Sequence, residues 1–336
     1  MSIPKTIPVI AIHGGAGTIT RAALSAADEA AYHSALHDIL AAAQTVLADG
    51  GSALDAVTTA VQMLEDCPLF NAGKGAVYTR AGTHELDAAI MDGRNLAAGA
   101  VTNVTCVRNP VLAARAVMEH SAHVLLAGAG AETFARQQGL EMVDCTYFHT
   151  EARHQQWLRV RGEQGMVLDH DGATLAFRES AHAASAAVTP VREPIDPDHK
   201  FGTVGAVALD MHGNLAAATS TGGMTNKQVG RVGDTPIVGA GCYAANATAA
   251  VSTTGTGEIF MRTVAAYDVA ARMAYGGTAL QQAAEQVVMD VLPRYEGRGG
   301  LIALDAQGNL ALPFNTEGMY RGYARGEAAP VTAIYR

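Results

Sequence analysis

The chain has 336 residues, 49% of them hydrophobic and only 5% aromatic, enough for a large core packed mainly by Ala, Val, Leu and Gly. Its net charge of −9, with the basic residues scattered, argues against nucleic acid or an anionic membrane as partner. Cys67, Cys106, Cys145 and Cys242 form no CxxC pair or disulfide-framework spacing, no apolar run can span a bilayer, and Met1-Ser2-Ile3-Pro4-Lys5 begins no signal peptide, so a cytoplasmic protein is expected.

Val9-Ile10-Ala11-Ile12 reads as a buried strand running into His13-Gly14-Gly15-Ala16-Gly17. Such a loop can form the oxyanion hole of an α/β-hydrolase, but no serine sits in the required Gly-x-Ser-x-Gly frame. No GxGxxG or GxxxxGK[ST] follows either, so these glycines are read as letting the backbone pass close to a neighbour. Two helices are predicted next, over about 27–47 and from a Ser52 N-cap to a stop before Pro68. His33 and His37 have a chelating spacing, yet without an HExxH glutamate a solvated helix face is the simpler reading. The glycine-rich loop 67–75 leads to a hairpin over 85–100, turning at Asp92-Gly93, and then to a strand over 101–107. Asn109-Pro110 opens a helix, 123–126 is a short strand, and Gly128-Ala129-Gly130 leads into another helix. Thr133 in place of a third glycine weakens any dinucleotide fingerprint there. Beyond Phe148 the pattern loosens, and 176–200, interrupted by Pro190, Pro194 and Pro197, reads as an exposed, cleavable linker.

That linker runs into Lys200-Phe201-Gly202-Thr203, after which 204–210 has the make-up of a buried strand. Cutting the Gly202–Thr203 bond would leave Thr203 with its hydroxyl beside its own free amine, a base able to activate a weak nucleophile. A threonine heading a strand is also ordinary, so context has to decide. Downstream, Leu209-Asp210-x-x-Gly213-Asn214-Leu215-Ala216 is echoed by Leu304-Asp305-x-x-Gly308-Asn309-Leu310-Ala311, each copy a strand, turn and strand. Two helices are predicted over 257–289, and hairpins with helices in both halves fit stacked antiparallel sheets covered by helices. Three segments could complete a site: Thr219-Ser220-Thr221-Gly222-Gly223, Arg231-Val232-Gly233-Asp234, and Ser252-Thr253-Thr254-Gly255-Thr256-Gly257-Glu258. Singly, each also reads as strand threonines, a surface i,i+3 ion pair, or a helix cap.

Together, His13-Gly14-Gly15-Ala16-Gly17, Phe70-Asn71-Ala72-Gly73, 202–208, 219–226, 230–234, 254–258 and 314–319 resemble the plant-type L-asparaginase/isoaspartyl peptidase family of N-terminal-nucleophile hydrolases, nearest its bacterial members. The resemblance implies an α+β fold, the four-layer αββα sandwich. It also implies autoproteolysis between Gly202 and Thr203 into an α subunit, 1–202, with its linker at about 176–202, and a β subunit, 203–336, folded together as one domain. Thr203 matches the nucleophile and Thr221 the threonine that hydrogen-bonds it. Thr254 and Gly255 match the oxyanion hole. Arg231 matches the residue that holds a substrate α-carboxylate and Asp234 the one that holds its α-ammonium, with Thr254 and Gly257 beside them. The implied substrates are β-aspartyl dipeptides and L-asparagine, with no cofactor for the chemistry. A structural sodium ion is implied at the backbone of Leu64, Glu65, Cys67, Phe70, Ala72 and Lys74, and a dimer of cleaved heterodimers as the assembly. Ala245 and Thr253 depart from the commoner family residues, Asn and Cys, and neither is expected to touch a mapped catalytic residue. A glycosylasparaginase and a catalytically silent binding protein of the same fold stay open as alternatives.

Overall fold

Alternation along the first strand separates two apolar environments, and the same alternation recurs through the computed structural model, which describes residues 6–22, 24–161 and 202–336. The predicted linker at 176–200, with Phe201, lies outside the described residues. The strands are β1 Val9–Gly17, β2 Leu86–Asp92, β3 Ala98–Val104, β4 Leu125–Ala127, β5 Val204–Leu209, β6 Leu215–Thr221, β7 Cys242–Ala244, β8 Ala249–Gly255, β9 Gly299–Asp305, β10 Leu310–Ala311, β11 Gly318–Arg325 and β12 Val331–Tyr335. The helices are α1 Ala26–Ala48, α2 Ala53–Asp66, α3 Pro110–His120, α4 Gly128–Gln137, α5 Glu151–Val160, α6 Gly257–Thr263, α7 Ala265–Gly276 and α8 Leu280–Glu285. An eight-stranded sheet runs β12-β11-β1-β5-β6-β2-β3-β4 and a four-stranded sheet β10-β9-β8-β7. All neighbours are antiparallel except β3 and β4.

Ile10, Ile12, Val204 and Ala206 pack with Leu36 and Leu40 of α1 and Val57 and Val61 of α2. Val9, Ala11, Val207 and Leu209 point the other way and pack with Ala250, Ile302 and Leu304 of the smaller sheet. The far side of that sheet, through Val251, Leu301 and Ala303, packs with Phe260, Val269 and Val287. Each large aliphatic side chain so buried contributes about 1.5–3 kcal/mol. Strands β5 and β6, which follow Thr203, lie between β1 and β2, which precede it, so the two sides of the Gly202–Thr203 junction share one sheet.

Local chemistry accounts for the element ends. Ser52 and Asp55 form a reciprocal capping box at α2, and the Ser25 hydroxyl accepts from Asp28 N at α1. The echoed turns are built alike: Asp210 Oδ1 accepts from His212 N and Asn214 N, and Asp305 Oδ1 from Gln307 N and Asn309 N. His13-Gly14-Gly15 lies within β1, and a Cβ on Gly14 would come 2.3 Å from the Phe70 ring, the close approach expected of these glycines. Several expectations need correction. The separate strand over 101–107 is the second arm of the hairpin, continuing as β3. Helix α5 departs from the expected pattern, and 257–289 holds three α-helices and the start of a π-helix, Gln286–Val291, rather than two helices. His33 bonds Thr332 and His37 lies beside Asp38, and among the described residues no cluster of His, Cys, Asp and Glu could hold a metal. No helix among them is long and apolar enough to cross a membrane.

Candidate active site

Period-two alternation gathers the predicted hydroxyls into one place. Thr203 continues the face of β5 that carries Val207 and Leu209 toward the smaller sheet, and Thr219 and Thr221 continue the face of β6 that carries Leu215 and Ala217. Ser252 and Thr254 share the side of Ala250 on β8, which turns back toward them. Thr203 is buried, and its Oγ1 donates to Thr221 Oγ1 at 3.3 Å and stands 3.4 Å from Thr235 Oγ1. Thr221 Oγ1 also accepts from Gly223 N at 2.9 Å.

Asn71 braces this corner. Its Nδ2 donates to Gly223 O at 2.7 Å, its Oδ1 accepts from Val77 N at 2.9 Å, and its carbonyl accepts from Gly222 N at 2.9 Å. A Cβ on Gly222 would lie 2.5 Å from Asn71 Oδ1, so the backbone reaches Asn71 only because that residue is glycine. Gly202 sits against the same amide, its virtual Cβ 3.5 Å from Asn71 Nδ2. Deeper in, His13 Nε2 lies 2.9 Å from Ser252 Oγ, which lies 2.8 Å from Thr219 Oγ1, whose hydroxyl donates to Gly241 O at 3.1 Å. Burial lowers the His13 pKa to about 3, against a hydrogen bond with the Thr203 backbone, so the ring is neutral at physiological pH.

Arg231 and Asp234 do not pair as the i,i+3 reading allowed. Arg231 Nε and Nη2 each donate to Glu258 at 2.9 Å, a bidentate clamp that leaves the Nη1 side of the guanidinium for another anion. Asp234 Oδ2 accepts from Thr253 Oγ1 at 2.7 Å. Burial raises the Asp234 carboxyl to about 6, opposed by the Thr253 hydrogen bond and the Arg231 charge. Thr253 therefore touches Asp234, which the resemblance maps to substrate binding rather than to catalysis. Ala245 is buried, and its N–H donates to Ala249 O. At Gly257 a Cβ would lie 2.8 Å from Asp234 Oδ1 and 2.9 Å from Arg231 Nη2, so both charged groups converge on this bare backbone.

Thr254 and Gly255 close β8. Thr254 Oγ1 is buried with no hydrogen-bond partner among the described residues, an open position for a hydroxyl that would otherwise cost about 1–3 kcal/mol unsatisfied. Gly255 has φ +150°, and a Cβ there would come 2.2 Å from Arg298 O. Sequence reasoning missed Thr235, Ser252 and Glu258, although Glu258 ends the Ser252–Glu258 segment and Thr235 follows Asp234. Asn71 and His13 lie in the Phe70-Asn71-Ala72-Gly73 and His13-Gly14-Gly15 segments, where the glycines are the more visible signal.

The family model described as asparaginase matches residues 6–334. The chain is 58% identical over 328 residues to an isoaspartyl peptidase of Salmonella typhimurium, covering 98% of each chain. It is 58% identical over 328 residues to an isoaspartyl peptidase of Escherichia coli, covering 98% of this chain and 96% of that one. To an isoaspartyl peptidase/L-asparaginase of Xenopus laevis it is 39% identical over 312 residues, 93% and 90% of the two chains. This chain belongs to the asparaginase family that these isoaspartyl peptidases represent.

Proposed function

We propose that the chain is a threonine amidohydrolase activated by its own cleavage, acting on β-aspartyl dipeptides and L-asparagine. The observation that carries this reading is the buried Thr203 hydroxyl, next to Gly202 and 3.3 Å from Thr221 Oγ1. The fold proposed is the four-layer αββα sandwich, supported by three apolar clusters that alternate helices, sheet, sheet and helices. The proposed division is 1–202 and 203–336, and the shared sheet order supports their staying together as one domain after cleavage.

In maturation the Thr203 Oγ attacks the Gly202 carbonyl carbon, the C–N bond to Thr203 breaks, and the nitrogen takes the proton. Water then hydrolyses the resulting ester, freeing the carboxylate of Gly202 and the amine of Thr203. In turnover that amine accepts the hydroxyl proton as Oγ attacks the substrate side-chain carbonyl. Thr254 Oγ1–H and Gly255 N–H are the proposed donors to the oxyanion. The leaving amine takes the proton, and the Thr203 amine then activates the water that hydrolyses the acyl-enzyme. Arg231 and Asp234 grip the α-carboxylate and α-ammonium that both substrates share. Intact protein should separate under denaturing conditions into a piece ending at or before Gly202 and a 203–336 piece whose N-terminal sequence reads Thr-Val-Gly-Ala-Val. A fully active protein that mass spectrometry finds uncut would overturn the mechanism, because the base would still be a peptide nitrogen.

Gly257→Ala checks the substrate end. The added methyl meets Asp234 Oδ1 and Arg231 Nη2 below 3 Å and displaces one of them. Maturation should proceed, while kcat/KM for L-asparagine falls by roughly 100-fold, as for an ångström-scale misplacement. Unchanged kinetics would move substrate binding elsewhere.

The sodium site, Leu64, Glu65, Cys67, Phe70, Ala72 and Lys74, belongs to the same proposal. Its support is that Cβ atoms on Gly73 and Gly75 would lie 2.3 Å from Glu65 O and 2.0 Å from Phe70 O, so bare backbone crowds carbonyl oxygens that suit a hard cation. A cytoplasmic location, expected from the cysteine spacing and the sequence, and a dimer of cleaved heterodimers, implied by the family resemblance, complete the reading.

A further inference from the structure

Two thiols stand apart from the proposed site. Cys106 Sγ and Cys145 Sγ, 39 residues apart in sequence, lie 3.3 Å from each other. A side-chain adjustment separates that distance from the disulfide bond length of about 2.05 Å. Their backbones are held. Thr105 N and Cys106 N donate to Glu132 Oε1 at 2.6 and 3.2 Å, and Val143 N donates to Cys106 O at 2.8 Å. Val107 bridges Met142 antiparallel, which keeps the two segments in register. On the other side, Thr146 N and Oγ1 bond Asp144 Oδ1 at 2.9 and 2.7 Å, fixing the turn that carries Cys145. Cys145 is exposed and Cys106 half-buried. One sulfur is placed to meet a reagent and the other to follow.

We propose that Cys106 and Cys145 are a redox-active dithiol, closed to an intramolecular disulfide by a small disulfide such as oxidised glutathione. Cys145 loses its proton to solvent and attacks one glutathione sulfur; a protein–glutathione S–S bond forms as the glutathione S–S bond breaks. One glutathione thiolate leaves. Cys106, deprotonated in turn, attacks the Cys145 sulfur and expels the second glutathione thiolate. The protein loses two electrons and two protons, and the oxidant gains both electrons as two glutathione thiols. Hydrogen bonding with Cys106 holds the Cys145 thiol above its ordinary pKa, so the first attack is slow near neutrality. The link would tie the end of β3 to a turn whose Tyr147 bonds Asp66 at 3.3 Å, and Asp66 ends the helix leading into the Asn71 loop.

The test uses the full chain, reduced, freed of reductant and incubated with oxidised glutathione at mildly alkaline pH. Free thiols should fall from four to two, and non-reducing peptide mapping should find Cys106 joined to Cys145. In Cys106→Ser, Cys145 should instead accumulate as a stable glutathione adduct. If that variant does not fold, Cys145→Ser serves, and should retain its three remaining thiols. The inference is overturned if the native sequence keeps four thiols, if its Cys145 adduct persists unresolved, or if the bond formed includes Cys67 or Cys242.

Discussion

Thr203→Ala should yield a single uncut polypeptide with no measurable turnover. Alanine removes the Oγ1 that contacts both Thr221 and Thr235, and with it the only atom proposed to attack either Gly202 or a substrate. The two losses compound: without cleavage there is no free amine, and without the hydroxyl there is no acyl-enzyme. Removal of a nucleophile elsewhere costs on the order of a millionfold, and a loss of that order in kcat/KM is expected. Thr203→Ser separates chemistry from folding, since it keeps hydroxyl and amine but loses the β-methyl that fixes χ1. It should mature and turn over slowly. Denaturing mass spectra of both variants, with thermal melts to show that the Ala protein is folded, provide the measurement. Substantial hydrolysis by a homogeneous, uncut Thr203→Ala protein would place the chemistry on another residue.

The precursor architecture makes this variant informative. Thr203 heads a strand hydrogen-bonded between β1 and β6, and the apolar side chains that anchor β5 are untouched by the substitution. A methyl for a hydroxyethyl at the head of the strand removes two weak hydroxyl contacts. The sheet does not depend on them.

Much of this was legible in the sequence where a local rule governs. Ser52 with Asp55 announces a helix start, and Asp210 and Asp305 announce turns, because each motif satisfies its own backbone within a few residues. Alternation along β1, β5, β6 and β8 suffices to put Thr203, Thr221 and Thr254 on facing sides once the strands are known. Helix α5 was missed because its buried face includes Arg153 and Gln156, polar residues that erase the apolar period on which helix prediction relies. Arg153 is held there by donating to Gly75 O and Gln156 Oε1, contacts that no sequence pattern displays. The break between α6 and α7 falls at Val264, a β-branched residue at φ +49° with no glycine to signal it. At the site, the Arg231–Glu258 and Asp234–Thr253 pairs span 27 and 19 residues and exist only because a long loop folds back on β8 and α6. Spacing could not have found them.

Arg231→Ala should lower kcat/KM for both β-aspartyl dipeptides and L-asparagine by roughly 30- to 5,000-fold, corresponding to about 2–5 kcal/mol for truncating one partner of a buried charge pair. The lost interaction is directional. Glu258 takes Nε and one Nη2 hydrogen, and Nη2 also stands beside Gly257, where Asp234 Oδ1 converges. Arg231→Lys retains the charge but can make neither the paired bonds to Glu258 nor a bidentate clamp on a carboxylate, so it should recover only part of the loss. Glu258→Gln keeps one acceptor and should cost less than either. The pH dependence gives an independent reading of the same subsite. With its carboxyl at about 6, Asp234 is largely protonated below that pH and cannot neutralise an α-ammonium; kcat/KM should rise as pH increases through that value. Removing Arg231 removes a charge that favours the carboxylate, so the Asp234 limb should move to higher pH in Arg231→Ala. The Thr203 amine titrates from a higher reference value of about 7.7–8.0 and provides a second limb, which Asp234→Asn should leave in place while abolishing the first. Equal kcat/KM for arginine and lysine at 231, with an acidic limb unchanged in Asp234→Asn, would show that neither residue grips the substrate.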